Sequence, residues 1–252
     1  MKKIAIIPVF NEEKAIIDVL NQVIKYTEVI IVINDGSKDK TEKLIKNWRK
    51  GKKNIYLISS PKNNGATAAI KKGYILVCHL LDQGIISPED IAINIDGDGQ
   101  HDPNYIPQLI EEFSSKNADI ILARRDFSLY PYYKRIGNKG FAILASILTS
   151  FPYKDVNSNY RLMRAEIVPV LMGYLTGYRQ SGSLEVGIIT ALLKYKIDNS
   201  FVVSVPLYIK GAKFWDGFHV LFLGLLAFLR VKFRIRSNSN RYINDTLKEL
   251  IE

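Results

Sequence analysis

The chain has 252 residues, enough for one large α/β domain or two small ones. Hydrophobic residues make up 47%, and 35 Lys and Arg against 25 Asp and Glu give a net charge of +10. The charge favours anionic partners such as nucleic acid, phosphorylated metabolites or an anionic membrane surface, and a single cysteine, Cys78, excludes a framework of disulfide bonds.

The N-terminal sequence MKKIAIIPVFNEE is interpreted as a first strand. Two lysines and an apolar run also begin a secretory signal peptide. Here, however, the run covers only residues 4–10, contains Pro8 and meets Glu12 without a small-residue cleavage site. We therefore expect a cytoplasmic protein.

Short β-branched runs alternate with longer amphipathic segments. Strands are predicted at 3–9, 28–34, 54–59, 91–96 and 119–124, and helices near 12–26, 39–50, 65–82 and 104–115. This alternation predicts an α/β fold with a mostly parallel central sheet flanked by helices. After residue 125 an aromatic and basic stretch precedes predicted helices near 139–150 and 183–196 and a late strand at 200–209.

The segment 217–252 is predicted to be a helical extension of a domain at 1–216. It begins with GFHVLFLGLLAFLRVKFRIR, whose apolar part, 217–229, is shorter than the roughly 20 residues of a spanning helix. Two interpretations stay open: a helix in the core or in an oligomer contact, and a helix lying on a membrane. In the second, the basic residues near anionic headgroups are Arg230, Lys232, Arg234 and Arg236.

Polar, turn-forming clusters follow the first four predicted strands: PVFNEE, NDGSKDKT, SPKNNG and DGDGQHDP. Because the carboxyl ends of parallel strands meet at one edge of a sheet, these clusters predict a ligand cleft at that edge.

The fourth cluster brings Asp96, Asp98 and Asp102 close together along the chain. A solvated turn is one interpretation, since Asp and Gly are common in turns. An EF-hand loop lacks its required glutamate and its preceding helix. We favour a divalent-metal site, because residues i and i+2 of an extended segment project to one side, so that Asp96 and Asp98 can face one ion. The remaining ligands would be water and phosphate oxygens, so the ion would clamp a phosphorylated substrate.

Other nucleotide-binding and catalytic motifs are missing from the sequence. There is no P-loop motif and no G-x-G-x-x-G after the first strand. The histidines, His79, His101 and His219, are too scattered for a zinc cluster, and no nucleophile elbow is present.

The motifs IIPVFNEE, INDGSKDKT, KNNG and IDGDGQHDP, in this order and spacing, resemble those of family 2 glycosyltransferases with the GT-A fold. They cover residues 4–103. The resemblance continues through LARR, KRIGNKG and DVNSNYRLMRAE, which are similar to the dolichyl-phosphate mannose synthase branch. That branch glycosylates polyprenyl phosphates. The resemblance implies a Rossmann-like domain that binds a GDP- or UDP-sugar.

The resemblance implies a donor-binding role for residues in all four loops. Phe10 stands where many polyprenyl-phosphate enzymes have tyrosine, so stacking on the base is retained and a hydroxyl contact is lost. Asp35 is implied to hydrogen-bond the base. The full implied set is Pro8, Phe10, Asn11, Glu12, Asp35, Asn64, Gly65, Asp96 and Lys213, with Lys210 as a substitute for Lys213.

Asp96, Asp98 and Gln100 resemble the metal-binding D-x-D-x-Q of that branch, which implies a Mg²⁺ or Mn²⁺ cofactor. Asp98 is the strongest candidate for direct coordination and is therefore also counted as catalytic. His101 is assigned a local hydrogen bond rather than a catalytic role.

Three further residues complete the implied catalytic set. Arg124 and Arg135 align with arginines that bind phosphate, including the phosphate of the acceptor, and a guanidinium can hold phosphate with two hydrogen bonds. Glu185 has two open interpretations: a base for a hydroxyl acceptor, or a structural carboxylate that pairs with a phosphate-binding arginine.

The implied reaction is inverting, metal-dependent sugar transfer to a polyprenyl phosphate such as dolichyl or undecaprenyl phosphate. Such an acceptor is already anionic at neutral pH and needs no base, unlike a hydroxyl. The basic stretch 124–139 suits an anionic head beside an apolar tail, with Tyr130, Tyr132 and Tyr133 at a membrane face. We expect peripheral membrane contact, and homo-oligomerisation stays open.

Three rival interpretations remain. The first is a soluble glycosyltransferase acting on a glycan or small-molecule hydroxyl. The second is a basic nucleic-acid-binding protein. Nucleic-acid binding does not explain the acidic motif D-G-D-G-Q, so we expect no nucleic-acid partner. The third is a catalytically silent nucleotide-sugar binder, against which the intact acidic motif argues.

Overall fold

A computed structural model describes residues 1–128, 130–176, 181–206 and 214–235, and for 214–218 it describes the backbone alone. The strands are β1 (Lys3–Val9), β2 (Val29–Asn34), β3 (Ile55–Ser59), β4 (Ile91–Asn94), β5 (Ile120–Leu122), β6 (Arg124–Arg125), β7 (Arg161–Arg164), β8 (Ile197–Asp198) and β9 (Val202–Val203). The helices are α1 (Ile16–Val23), α2 (Thr41–Trp48), α3 (Ala66–Asp82), α4 (Ile106–Ser115), α5 (Tyr132–Thr149), α6 (Ile167–Met172), α7 (Gly182–Leu192) and α8 (Phe214–Lys232).

The central sheet has the strand order β3-β2-β1-β4-β7-β5-β8. Its neighbouring pairs are parallel, except that β7 runs antiparallel between β4 and β5. The predicted α/β fold with a mostly parallel sheet is confirmed. Strand β1 has the predicted bounds, and β2 to β5 lie within the predicted ranges.

Two apolar cores lie on opposite faces of this sheet, because successive residues of a strand point to opposite faces. In β1, Ile4 and Ile6 pack into the core shared with α3, α6 and α7. Ala5 and Ile7 pack into the core shared with α1 and α4. Burial on both faces explains why the strands read as continuous apolar runs rather than alternating ones.

The second half of the chain departs from the predicted elements. The late strand predicted at 200–209 is reduced to β9, which pairs in parallel with β6 in a separate two-stranded sheet. Pro206 has no N–H to donate to a ladder, and residues 207–209 lie outside the described ranges. Helix α5 begins at Tyr132 rather than near 139, directly after Pro131, a residue suited to helix starts.

Helix α8 packs one face against the domain. A Cβ on Gly224 would lie 2.6 Å from Leu184 of α7, and Ala227 and Val231 are buried in the same core as α3 and α7. The opposite face is exposed at Phe222, Leu225, Leu229 and Phe233. The predicted division of the chain into a domain at 1–216 and an extension at 217–252 stays a prediction, since 236–252 lie outside the described residues. No helix within the described ranges is long and apolar enough to cross a membrane.

Candidate functional site

The loops after β1, β2, β3 and β4 meet at the carboxyl edge of the parallel strands, where the cleft is predicted. The N–H of Asp35 donates to the carbonyl of Val9 (2.9 Å), and the N–H of Gly97 donates to the carbonyl of Pro8 (3.3 Å). The side chain of Pro8 is buried within β1. Its contribution to the site is therefore this carbonyl, which supports the acidic loop.

The first loop is held against the second by the predicted donor-binding residue Asn11. Its backbone takes a left-handed conformation (φ 56°), its N–H donates to the hydroxyl of Ser37 (2.9 Å), and its Oδ1 accepts from the N–H of Lys38 (2.8 Å). The N–H of Glu12 donates to the hydroxyl of Thr41 (2.9 Å). Phe10 precedes these hydrogen-bonded residues and is 39% exposed, so its ring is available to stack on a base.

The buried carboxylate of Asp35 joins the second loop to the third. It accepts hydrogen bonds from the N–H groups of Asn64 (3.0 and 3.1 Å) and Gly65 (2.7 Å). Gly36 follows with φ 74°, and a Cβ there would lie 2.5 Å from the carbonyl carbon of Lys62. The loops therefore approach so closely that only glycine fits at residue 36. The structure brings Asp35, Asn64 and Gly65 together, and their role in binding the donor stays a prediction.

Asp96 lies two residues beyond β4 with its side chain 32% exposed. Its Oδ1 accepts a hydrogen bond from the amide of Asn159 (2.6 Å), and its N–H donates to Nδ1 of His101 (3.2 Å). His101 is buried and stacked on Tyr160, and its burial lowers its pKa, which favours the neutral imidazole. The local hydrogen bond predicted for His101 is present.

Asp98 lies in a desolvated, negatively charged environment. Burial first, and then the neighbouring charge of Asp96, raise its pKa to about 7, and Glu12 adds a further negative charge. Its Oδ1 accepts from the N–H of Gln100 (2.9 Å). The Gln100 amide nitrogen donates to the carbonyl of Pro206 (2.6 Å), so this predicted metal ligand also links the acidic loop to the chain after β9.

The chemistry of these oxygens fits a hard divalent cation. Within the described ranges, no three His, Cys, Asp or Glu side chains converge closely enough to ligate one ion. Asp96 and Asp98 would thus hold Mg²⁺ or Mn²⁺ as a partial set that needs water and phosphate oxygens to complete it. A bound cation would also relieve the repulsion that raises the pKa of Asp98.

The adjacent arginines Arg124 and Arg125 have different surroundings. Arg125 makes a bidentate ion pair with the buried Asp155, with Nε to Oδ2 at 2.8 Å and Nη2 to Oδ1 at 3.1 Å, and Nη2 also donates to Asn138 (2.9 Å). Arg124 makes no side-chain hydrogen bond within the described part of the chain. It lines a cavity of about 250 Å³ together with Arg125 and Lys154.

The remaining predicted cationic residues lie on α5 or outside the described chain. Arg135 is exposed in the first turns of α5 and has no side-chain partner among the described residues. Lys213 and its substitute Lys210 both lie outside the described residues. Their predicted role at the donor diphosphate stays a prediction.

Glu185 is fully buried, at 0% exposure, in the first turn of α7. Its Oε2 accepts from the N–H of Thr176 (2.7 Å), and its Oε1 accepts from the hydroxyls of Thr176 (2.6 Å) and Ser181. No arginine of the described residues pairs with it. These contacts favour a structural carboxylate that joins Thr176 to Ser181, with a hydrogen bond at each of its oxygens.

Replacing Glu185 by glutamine distinguishes its two interpretations. Both oxygens of the carboxylate accept hydrogen bonds, so the NH₂ group of glutamine would place a donor opposite one of these donors. We therefore expect the free energy of unfolding to fall by about 1–3 kcal/mol, while the protein that remains folded keeps its kcat. Thermal denaturation and initial rates would measure both quantities. The matched control is Glu166→Gln, which changes an exposed carboxylate at the start of α6. Unchanged stability with a large loss of kcat would instead identify Glu185 as a base.

The sequence profile of glycosyl transferase family 2 matches residues 4–187, which include all four loops and both acidic residues of the D-x-D segment. The chain belongs to glycosyl transferase family 2. The predicted family and the predicted class of enzyme, a glycosyltransferase, are thereby confirmed.

Two relatives of this family 2 chain have names that state an acceptor. The UDP-N-acetylglucosamine–dolichyl-phosphate N-acetylglucosaminyltransferase of Methanococcus voltae is 28% identical over 214 residues, which cover 76% of this chain and 81% of the relative. The bactoprenol glucosyl transferase of Shigella phage SfX is 33% identical over 175 residues, 67% of this chain and 54% of the relative.

A solved structure confirms the GT-A fold. Glucosyl-3-phosphoglycerate synthase from Mycobacterium tuberculosis, in complex with Mn²⁺ and UDP-glucose, superposes with a TM-score of 0.64 at 15% sequence identity. The superposition covers 90% of this chain and 78% of that chain. At this level of identity, the similarity extends to the fold alone.

Sequence reasoning about the family 2 motifs missed three polar residues that the structure brings to the site: Asp155, Asn159 and Arg161. All three lie in DVNSNYRLMRAE, which contributed to the resemblance without any role for its single residues. The available signal was an arginine between a tyrosine and two apolar residues, in YRLM. Their partners, Arg125 and Asp96, are 30 and 63 residues away in the sequence, so no local pattern connects them.

Proposed function

We propose that this enzyme transfers a sugar, with inversion and with a divalent cation, from a nucleotide-diphosphate sugar to a polyprenyl phosphate. The observation that carries the proposal is the pair Asp96 and Asp98 at the carboxyl edge of the sheet, whose charges and burial raise the pKa of Asp98 to about 7. This pair fits a cation that also binds a diphosphate. The names of the Methanococcus and phage relatives support the acceptor class.

On this proposal the nucleotide lies across the loops that Asn11 and Asp35 hold together. Phe10 stacks on the base, and the backbone around Asn64 and Gly65 lines the far side. The leaving group is the nucleoside diphosphate, and a Mg²⁺ or Mn²⁺ held by Asp96 and Asp98 would neutralise the charge that develops on it. Gln100 keeps the acidic loop joined to the chain at Pro206, near the end of β9.

The acceptor site of the proposal is the cavity beside β6, which is lined by three basic residues and by Asp126. Because Arg125 is engaged by Asp155, the cations left for a phosphate there are Arg124 and Lys154. Arg135 on the exposed side of α5 would extend this positive region. A phosphate monoester is anionic at neutral pH and attacks the anomeric carbon without losing a proton to the protein. The engagement of both Glu185 oxygens agrees with an acceptor that needs no base.

We extend the proposal to an anionic membrane surface as the place where the lipid acceptor is met. Helices α5 and α8 both carry exposed apolar residues, and basic residues of the same helices suit acidic headgroups. Arg230 is an exception to the predicted basic flank, because its guanidinium donates to the carbonyl of Tyr174 (3.3 Å), and Arg236 lies outside the described residues. The exposed apolar residues are Tyr132, Tyr133, Ile136, Ile143, Ile147, Phe222, Leu225, Leu229 and Phe233.

The test is transfer from a panel of radiolabelled UDP- and GDP-sugars to a short polyprenyl phosphate, with Mn²⁺ or Mg²⁺. Parallel reactions contain chelator or no lipid. Chelator-sensitive label in the organic phase supports the proposal and names the donor. Hydrolysis of the donor without a labelled lipid product would contradict a polyprenyl phosphate acceptor and would still agree with a glycosyltransferase. Label transferred to an added sugar hydroxyl would then support a hydroxyl as the acceptor.

A further inference from the structure

A charged side chain lies in the middle of the central sheet. Strand β7 places Arg161 opposite Asn94 of β4 and Leu122 of β5, where it is 1% exposed. Its Nη2 donates to the Oδ1 of Asn159 (2.6 Å) and to the hydroxyl of Ser183 (2.9 Å). Its Nε and Nη1 have no hydrogen-bond partner among the described residues. Burial of a cation without a directly paired carboxylate is costly, and an apolar residue would pack here at less cost.

Asn159 connects this buried cation to the acidic loop. Its Oδ1 accepts from Arg161, and this contact turns its NH₂ group toward Asp96, whose Oδ1 accepts at 2.6 Å. The other carboxylate oxygen of Asp96 lies 3.4 Å from Nδ1 of His101. That nitrogen already accepts the N–H of Asp96, so it has no proton to donate to the oxygen. One oxygen of Asp96 is thus held, and the other is left for a ligand.

We propose that Arg161 and Asn159 form a buried relay that positions the carboxylate of Asp96 toward the divalent cation and diphosphate of the donor. The proposal rests on the proposed function for the identity of that ligand. Both members are positioning residues, since they act through Asp96 and not on the sugar. Groups that orient a metal-binding side chain commonly contribute about 10- to 100-fold in metal affinity. The charge of Arg161 polarises the amide of Asn159, which strengthens the hydrogen bond from that amide to Asp96.

The experiment measures binding in the absence of acceptor and turnover. Mn²⁺ would be titrated into the full chain with UDP and, separately, with GDP, and free Mn²⁺ would be followed by electron paramagnetic resonance. The variants are Asn159→Ala and Arg161→Met. The matched control is Asn157→Ala, which removes the same amide from the same loop at a residue whose backbone N–H, rather than its side chain, donates to Asp155. Thermal denaturation of every variant accompanies the titrations.

We expect both variants to bind Mn²⁺ with the nucleotide about 10- to 100-fold more weakly than the parent chain, and the control to bind like the parent. Arg161→Met should keep or raise the melting temperature, because it removes a buried and incompletely paired charge. A merely structural role predicts the reverse, with a lower melting temperature and unchanged Mn²⁺ affinity.

Parent-like binding by Asn159→Ala would overturn the relay. This variant decides the question even if Arg161→Met does not fold, since Asn159 lies in the partly exposed loop before β7. A parent chain that binds Mn²⁺ with neither UDP nor GDP would contradict the proposed function. Failure of the proposed function therefore appears in the parent, and failure of the relay appears only in the variants.

Discussion

Replacing Asp98 by alanine or asparagine should abolish metal-dependent sugar transfer while the fold remains intact. The side chain lies at the carboxyl edge of the sheet, and within the described part of the chain its hydrogen bond is to the N–H of Gln100 in its own loop, so it joins no distant element there. Loss of a group that stabilises developing charge typically lowers kcat by about 10²–10³-fold or more. The measurement is the initial rate of transfer at saturating Mn²⁺.

The same substitution should make the metal-free protein more stable at alkaline pH. The pKa of Asp98 is raised from 3.8 to about 7, so the folded protein binds this proton more tightly than the unfolded chain. The free energy of unfolding therefore falls as the pH rises from about 4 to about 7, and it keeps this lower value above that range. Asp98→Asn removes this loss and should raise the free energy of unfolding at pH 8 by about 1–3 kcal/mol in chelator, and by much less at pH 5.

Urea denaturation at the two pH values, with chelator or with Mn²⁺, tests this pH dependence. Mn²⁺ at pH 8 should stabilise the parent and not the variant. The control is Asp102→Asn, because Asp102 caps the turn at Pro103–Tyr105 and asparagine caps as well as aspartate. An Asp98→Asn protein that turns over like the parent, or a parent that does not respond to Mn²⁺, would contradict the assignment of Asp98 to the cation.

Replacing Arg124 and Arg135 together by alanine should lower kcat/KM for the polyprenyl phosphate by about 10²–10³-fold, since each charge-assisted hydrogen bond to phosphate contributes about 1.5–3 kcal/mol. Neither side chain has a hydrogen bond within the described chain, so the melting temperature should change little. Affinity for the nucleoside diphosphate should stay unchanged. The assay varies the acceptor at saturating donor, and calorimetric titration with UDP or GDP reports the donor site.

Arg125→Ala is the contrasting variant, because this neighbouring arginine is committed to Asp155 and Asn138. Its loss leaves a buried carboxylate unpaired, so we expect a large fall in stability, of about 3–5 kcal/mol. A double variant of Arg124 and Arg135 with parental kcat/KM for the lipid, or one that loses nucleotide binding, would remove these two arginines from the acceptor site.

Most of the first half of the domain could be predicted from the sequence. The strands β1 to β4 are apolar runs because both sheet faces are covered, and each is followed by polar residues that mark the carboxyl edge. The second half was harder to predict. Strand β7 is four residues long with arginine at both ends, so neither alternation nor an apolar run indicates it, and β9 depends on pairing with β6, far away in the sequence.

The proximity of residues that are close together in the sequence could be predicted. Asp96 and Asp98 are two residues apart in the sequence and close enough in the structure for the charge of Asp96 to raise the pKa of Asp98, and their motif carries the family resemblance. Their role at a cation stays a prediction. For Glu185 the sequence was not sufficient, because it is compatible both with a catalytic base and with a structural carboxylate. Its complete burial arises from the packing of α7 into the core, which no local pattern encodes, although its partners Thr176 and Ser181 are only nine and four residues away.

Composition, strand periodicity and the four loop motifs were therefore sufficient for the α/β class, the family and the acidic pair, since these follow from local geometry and short spacing. The separation of Arg124 from Arg125, one left in a basic cavity and one paired with Asp155, required the folded chain. So did the contact of Asn159 with Asp96. Both contacts exist because β7 inserts antiparallel beside β4 and carries its preceding loop to the site, and pairing between distant strands is decided by tertiary packing rather than by sequence neighbours.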